Sequence, residues 1–170
     1  MKIVRNIQQL NLIAVTCLFV FLATFSIVPA IAYDNMDIPR LKKLAEEGNA
    51  DAQAKLGVVY ASGIGVKLDK KEALKWYKKS AEQGDSLGQW NLAFMYVRGE
   101  EVEVDYVRAR ELFQKSAESG FENAQYDLGM MLLQGLGGKE DRTEAEKWFR
   151  KSAAKGYREA KKMLKELEPK

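Results

Sequence analysis

Apolar and small residues return every three or four positions in paired stretches, and the pairs themselves repeat every 36 residues. This spacing is typical of amphipathic helices with one buried face each. In the copy between Gly84 and Gly120, Gly99 can end a first helix in the left-handed conformation, and Asp105 can cap the start of a second. Each copy therefore predicts a helical hairpin. Its inward-facing residues are Gly88, Leu92, Met95 and Tyr96 on the first helix, and Ala109, Leu112, Phe113, Ser116 and Ala117 on the second.

Equivalent residue types occupy equivalent positions in successive copies. The columns are Gly48, Gly84, Gly120 and Gly156; Leu56, Leu92, Leu128 and Leu164; Asp69, Asp105 and Asp141; Tyr77, Phe113 and Phe149; and Ser80, Ser116 and Ser152. A repeat of this length predicts an all-α fold, an α-solenoid of stacked antiparallel helical hairpins. We place three repeats at residues 49–156.

Shorter segments flank these repeats. Residues 33–48 carry only the second-helix pattern, with Leu41, Leu44 and Ala45 expected to face inward, and residues 157–170 carry only the first-helix pattern. We interpret both as capping helices, which cover the ends of the stack and present polar residues to water.

Two of the predicted second helices begin with the spacing of a capping box. Asp69 is followed three residues later by Glu72, and Asp141 by Glu144. In such a box each side chain accepts a hydrogen bond from the other residue's backbone amide, so both amides are satisfied at the helix start. Arg108 interrupts this pattern in the middle copy.

Residues 1–32 have the composition of a secretion signal, which we expect to be helical. No charge occurs between Arg5 and Asp34, and the segment ends with two small residues spaced as a signal peptidase requires. We predict cleavage after Ala32 and a periplasmic or secreted protein. The 23 residues from Leu10 to Ala32 are also long enough to span a bilayer, so an uncleaved anchor is the alternative. Either way, the positive charges before this segment predict that the repeats lie outside the cytoplasm.

The remaining composition excludes several functions. The leader contains Cys17, the only cysteine, and its loss lowers the net charge from +3 to near +1. A chain without a basic stripe is not expected to bind nucleic acid. Histidine is absent, which removes the commonest metal ligand and general base, and we predict no cofactor and no metal. We also expect a monomer that meets a membrane only if the leader is retained.

One short motif keeps an enzymatic alternative open. Ser152 and Lys155 have the S-x-x-K spacing of penicillin-recognising enzymes, although the companion S-D-N and K-T-G motifs are absent. A hydrolase of the β-lactam or cell-wall peptide type is therefore the alternative function. Against it, serine recurs at this position in all three copies, which favours a role in helix packing.

The repeated residues resemble a known family. The first copy contains Ala52, Leu56, Gly57, Tyr60, Gly63, Gly65, Val66, Asp69, Ala73, Trp76, Tyr77, Lys79, Ala81 and Gly84, and the third copy repeats most of them. This pattern is similar to the Sel-one-like repeat over roughly residues 38–170. The resemblance implies an α-solenoid related to tetratricopeptide repeats and used as an adaptor or scaffold. The middle copy departs from the pattern at Gly88, Glu101 and Leu112, and Glu101 brings the tight double-glycine loop into question there.

A second apolar stripe follows the opposite side of the first helices. The resemblance implies that first helices line the concave face, so we predict a groove for a protein or peptide ligand. Its residues are Val58, Trp90, Phe94, Val97, Arg98, Tyr126, Met130 and Leu133, with Lys55, Asn91, Asp127 and Gln134 joining Arg98 at the rim. We therefore expect a protein-interaction scaffold and no enzyme, with envelope regulation or host contact as roles implied by the family. The alternative interpretation is that Trp90 and Tyr126 have only a structural role and pack between hairpins.

Overall fold

Helices account for the regular structure of residues 37–168, the part of the chain that this computed structural model describes. The predicted leader and the first residues of the capping helix predicted at residues 33–48 lie outside this part. The helices are α1 (Ile38–Glu46), α2 (Ala50–Ser62), α3 (Lys70–Glu82), α4 (Ser86–Arg98), α5 (Tyr106–Glu118), α6 (Glu122–Gln134), α7 (Arg142–Ala154) and α8 (Arg158–Leu167). None of these eight is both long and apolar enough to cross a bilayer.

Each helix packs against its neighbours in sequence, so the hairpins α2–α3, α4–α5 and α6–α7 stack in order. The first helices α2 and α4 also contact each other directly. Helix α1 packs on the first hairpin and α8 on the last. The predicted all-α solenoid is confirmed.

The aromatic column of the second helices forms the centre of the core. Tyr77, Phe113 and Phe149 are each at most 2% exposed. Leu112 is only half-buried, in contrast to its buried counterparts Trp76 and Trp148.

The inward orientation predicted for Leu44 is wrong, because its side chain is 38% exposed. Leu44 occupies the column of Ser80, Ser116 and Ser152, whose hydroxyls reach the first helix of their own hairpin. Helix α1 has no such partner among the described residues, and this face meets solvent. Leu41 and Ala45 are buried as expected.

The aspartate caps are confirmed at all three second helices. The side chains of Asp69, Asp105 and Asp141 accept hydrogen bonds from the backbone amides of Glu72, Arg108 and Glu144 at 3.0, 2.9 and 2.9 Å. The middle copy is capped as well as the others, since the cap needs only a backbone amide at its third position.

The reciprocal half of the capping box is wrong. The backbone amides of Asp69 and Asp141 donate to the carbonyls of Tyr60 and Leu132, at 2.9 Å in both cases. Those carbonyls belong to the last turn of the preceding helix, and the loop brings them within reach. The glutamates instead pair with lysines one turn later, Glu72 with Lys75 and Glu144 with Lys147.

The loop of the middle repeat keeps the shape of the other two despite Glu101. Gly99 and Glu101 have φ values of 66° and 57°, close to 66° and 71° at Gly135 and Gly137. Glu101 is the single non-glycine residue with positive φ in the described part of the chain. The expectation that Glu101 disturbs this loop was wrong, because the left-handed region is strained for glutamate but accessible.

Gly88 reflects a close approach between α3 and α4. A Cβ atom at this position would lie 2.6 Å from Ser80 Cβ and 3.0 Å from the backbone nitrogen of Ala81. Glycine in place of alanine in the middle copy thus lets the first two hairpins approach more closely than an alanine side chain would allow.

Candidate functional site

The predicted groove residues occupy α2, α4 and α6, and their exposure divides them into two groups. Val58, Phe94 and Met130 are buried, at 7%, 6% and 8% exposure. The half-buried group consists of Trp90, Val97, Arg98, Tyr126 and Leu133. The first group therefore belongs to the core of the stripe, and a ligand on this face would meet the second group first.

Aromatic rings connect the second and third repeats behind this face. Trp90 meets Phe94 edge-on, with ring centroids 4.8 Å apart, and Phe121 at 5.6 Å. Phe94 in turn meets Phe113 at 5.1 Å. Perpendicular rings at these separations pair the positive edge of one ring with the negative face of the other. Trp90 is therefore held in a defined orientation between two repeats.

A second aromatic group lies further along the stripe. The Tyr126 ring is 5.6 Å from that of Phe149 and 5.2 Å from that of Tyr157. These contacts tie α6 to the second helix of its own hairpin and to the start of α8.

The sequence interpretation missed Phe121 and Tyr157, although a signal was present. Both occupy the column of Asn49 and Asp85, whose side chains cap the first helices α2 and α4. Neither aromatic residue makes a side-chain cap at the start of α6 or α8. An aromatic residue at a position that elsewhere caps a helix indicates that packing has replaced capping there.

The rim prediction is wrong for Asn91 and Asp127, which are only 3% and 4% exposed. The Asn91 side-chain amide donates to the carbonyl of Leu87 at 2.9 Å, one turn earlier on its own helix. The Asp127 carboxylate accepts a hydrogen bond from the Trp90 indole Nε1–H at 2.6 Å. Both side chains turn toward helix partners, which satisfies their polar atoms away from water.

Burial dominates the electrostatics of Asp127. Loss of hydration raises the pKa of this carboxyl from 3.8 to about 7, while the Trp90 hydrogen bond and the charge of Arg98 act in the opposite direction. Tyr157 is affected in the same way, since burial first and the charge of Asp127 second raise the pKa of its phenol.

The other predicted rim residues, Lys55, Arg98 and Gln134, are half-buried. Lys55 pairs with Asp51 at 2.6 Å. The Arg98 guanidinium lies 5.1 Å from the centre of the Phe94 ring and 4.0 Å from Glu100. Gln134 is half-buried. The face thus combines apolar and aromatic groups with a cation that stacks on an aromatic ring, as ligand-binding surfaces often do.

The structure separates the two residues of the hydrolase alternative. Ser152 is fully buried and donates its hydroxyl to the Glu122 carbonyl at 2.8 Å. The Lys155 ammonium donates to the carbonyl of Gly120, at the end of α5. Each side chain makes a contact between helices, and these contacts explain the S-x-x-K spacing without a nucleophile.

Comparison with known proteins matches three segments of the chain to the Sel1 repeat, at residues 50–85, 86–121 and 123–157. A sel1-like repeat-containing protein of Acanthamoeba polyphaga mimivirus is 49% identical over 45 residues. That match covers 26% of this chain and only 8% of the viral protein.

Solved structures of Sel1 repeat proteins also resemble this chain. The Sel1 repeat protein of Oxalobacter formigenes superposes with a TM-score of 0.70 and 35% identity, covering 77% of this chain and 98% of that one. The protein c5321, described as a protective antigen of uropathogenic Escherichia coli with an SLR fold, gives 0.70 and 42% over 75% of this chain and 27% of its own. The cysteine-rich protein B of Helicobacter pylori shares the fold at a TM-score of 0.60 and 21% identity, with coverage of 76% and 98%.

Proposed function

Since the chain belongs to the Sel1 repeat family, whose members are helical scaffolds that generally bind proteins, we propose that it binds a peptide or helical segment on the face formed by α4 and α6. One observation carries this proposal: half-buried apolar side chains of two repeats lie along one stripe, beside a half-buried arginine. The residues we assign to ligand contact are Trp90, Val97, Arg98, Tyr126 and Leu133. The buried residues Val58, Phe94 and Met130 support them from below.

The physical basis is the geometry of a stacked array. Neighbouring first helices present parallel rows of side chains, and an amphipathic helix or an extended segment can bury its apolar side against them. Aromatic residues and arginine contribute most to such contacts, because they bury a large area with little loss of rotamer freedom. Trp90 is already oriented by its contacts to Phe94, Phe121 and Asp127.

We also propose that the repeats work outside the cytoplasm, in envelope regulation or host contact. The support is the charge-free apolar stretch before Asp34 and its small-residue end. Amino-terminal sequencing of the exported protein tests this. Tyr33 as the first residue indicates cleavage, whereas a retained Met1 indicates an anchor, and failure to recover the protein outside the cytoplasm contradicts export.

The binding face is tested by two substitutions of the same residue type. Val97→Asp places a charge within the stripe, and Val107→Asp places one on α5, where Val107 is 58% exposed. A photo-reactive amino acid at position 133 is introduced into both variants and into the parent chain. We expect cross-linked protein partners from the parent and from Val107→Asp, and loss of those partners from Val97→Asp at unchanged helical content. Equal capture by all three proteins contradicts the assignment of this face.

The hydrolase alternative has no supporting observation in the geometry. It is tested with the purified protein and a chromogenic β-lactam, with Ser152→Ala as the matched variant. Turnover that is lost in Ser152→Ala would require an active site that the described contacts do not suggest.

A further inference from the structure

Asp127 differs from its counterparts in the other repeats. The column contains Lys55, Asn91 and Asp127. The side chain of Lys55 is 42% exposed and pairs with Asp51, and the neutral amide of Asn91 is satisfied on its own helix. Asp127 is the ionisable member that lies buried, at 4% exposure.

The position of this carboxyl is a seam between repeats. Its Oδ2 accepts the indole Nε1–H of Trp90, which belongs to α4, while Asp127 itself belongs to α6. Trp90 also meets Phe121 at the start of α6. The contact between the second and third repeats on this side of the stack therefore includes a buried carboxyl group that is hydrogen-bonded to an indole.

Few charges of the described part of the chain act on this group. Arg98 acts on it from α4, and the phenol of Tyr157 lies near it from the turn before α8, with Glu122 and Glu159 acting on that phenol. None of the ion pairs formed within residues 37–168 includes Asp127. An ionised carboxylate here has one hydrogen-bond donor within residues 37–168, the Trp90 indole, and loses most of its hydration, which is unfavourable in a low-dielectric interior.

The two protonation states therefore have different requirements. A neutral carboxyl can accept the indole N–H and remain buried, whereas a carboxylate gains by admitting water or by drawing a cation toward it. The pKa of about 7 places the change between these states close to neutral pH.

We propose that ionisation of Asp127 opens the Trp90–Asp127 contact to water and loosens the seam between the second and third repeats, so that the array responds to pH around neutrality. Below the transition the seam is closed and Trp90 is held in one orientation. Above it, α4 and α6 separate locally while both hairpins stay folded. The inference does not depend on the proposed function, because it concerns contacts within the chain.

Indole N–H resonances provide the first measurement. The full chain has three tryptophans, so its ¹H–¹⁵N spectrum contains three indole signals, and Trp90→Phe identifies the one from Trp90. We expect that signal to shift between pH 5 and 9 with a midpoint near 7, while the signals of Trp76 and Trp148 stay constant. The shift should vanish in Asp127→Asn, which preserves the acceptor, and persist in Asp51→Asn, which removes an exposed carboxylate.

Amide hydrogen exchange provides the second measurement and tests the loosening itself. Protection factors, which correct for the intrinsic pH dependence of exchange, should fall about tenfold in α4 and α6 between pH 6 and 8 in the parent chain. They should change less than about twofold in Asp127→Asn. A constant Trp90 signal, a titration that survives Asp127→Asn, or a titration without any change in protection would each overturn the proposal.

Discussion

Ser152 donates its hydroxyl to the backbone carbonyl of Glu122, 30 residues earlier, at 2.8 Å. The same bond joins Ser116 to Ser86 at 2.7 Å and Ser80 to Ala50 at 2.8 Å. In each repeat it ties the end of the second helix to the start of the first. All three serines are fully buried, and this bond gives each hydroxyl an acceptor in the interior. The Ser80 hydroxyl has a second acceptor, Asp85 Oδ1 at 3.1 Å.

Removing one of these hydroxyls should weaken the array. Ser116→Ala loses the bond to Ser86, and we expect the free energy of unfolding to fall by about 1 kcal/mol in urea denaturation. Ser119→Ala is the matched control, since the exposed Ser119 hydroxyl bonds to the carbonyl of Lys115 on the preceding turn of its own helix. Equal effects of the two substitutions would show that the interhelical bond does not contribute to the free energy of unfolding.

A buried glutamine lacks the partner that its counterpart has. Gln53 Oε1 accepts a hydrogen bond from Gln83 Nε2 at 2.7 Å, whereas the equivalent Gln89 Oε1 is buried with no partner in the described part of the chain. Ser119 occupies the position of Gln83. We expect Ser119→Gln to raise the free energy of unfolding by about 1 kcal/mol, because it supplies the missing donor.

Ser119→Glu is the control for this prediction. Glutamate matches glutamine in length, but its ionised carboxylate only accepts hydrogen bonds, so it should not stabilise the protein. A gain in Tm for both variants would attribute the effect to side-chain length and contradict the hydrogen-bond explanation.

The strained loop of the middle repeat should be improved by glycine. Glu101 has a φ of 57°, a conformation that is unfavourable for a residue with a Cβ atom. We expect Glu101→Gly to stabilise the protein by about 1 kcal/mol, measured by thermal or urea denaturation. Glu103, two residues later and also exposed, does not have positive φ, and Glu103→Gly should instead destabilise by roughly 0.5 kcal/mol. The opposite order of the two variants would contradict this account.

Asp127 should make stability depend on pH in a direction unusual for an acid. Its folded pKa is raised above the unfolded value of 3.8 to about 7, so the unfolded state releases the proton first as the pH rises. The free energy of unfolding therefore falls between about pH 4 and pH 7 and is constant with respect to this group above that range.

The test compares Asp127→Asn with the parent chain. The neutral amide has no ionisation to suppress, so the stability advantage of the variant should grow by roughly 2–3 kcal/mol between pH 5 and pH 8. Urea denaturation at several pH values measures it. A stability advantage that is the same at pH 5 and pH 8, or larger at pH 5, would show that burial does not raise the pKa of this carboxyl.

Much of the fold could be predicted because it rests on short-range rules. The positions of Gly99 and Asp105 mark a helix end and a helix start through backbone conformation and a cap three residues away. These interactions need no knowledge of neighbouring repeats. The second half of the capping box failed for the opposite reason, since the amides of Asp69 and Asp141 found carbonyls on the preceding helix.

The candidate site was harder to predict. Helical spacing predicts Trp90, Phe94 and Tyr126 on one stripe, but spacing assigns a direction and not a distance to the next repeat. Whether Phe94 is buried, and whether Asp127 lies at a rim or at a seam, depends on how closely α4 and α6 approach. The aromatic contacts of Phe121 and Tyr157 depend on the same approach.

The sequence by itself determined the repeat, the helices and most of their caps, because a 36-residue period imposes the same local chemistry on every copy. Only the tertiary structure decided which polar side chains are buried between copies. Asp127 is a partner of Trp90 at 2.6 Å because side chains of α4 and α6 come within hydrogen-bonding reach, and that reach follows from the shapes of all the side chains between the repeats.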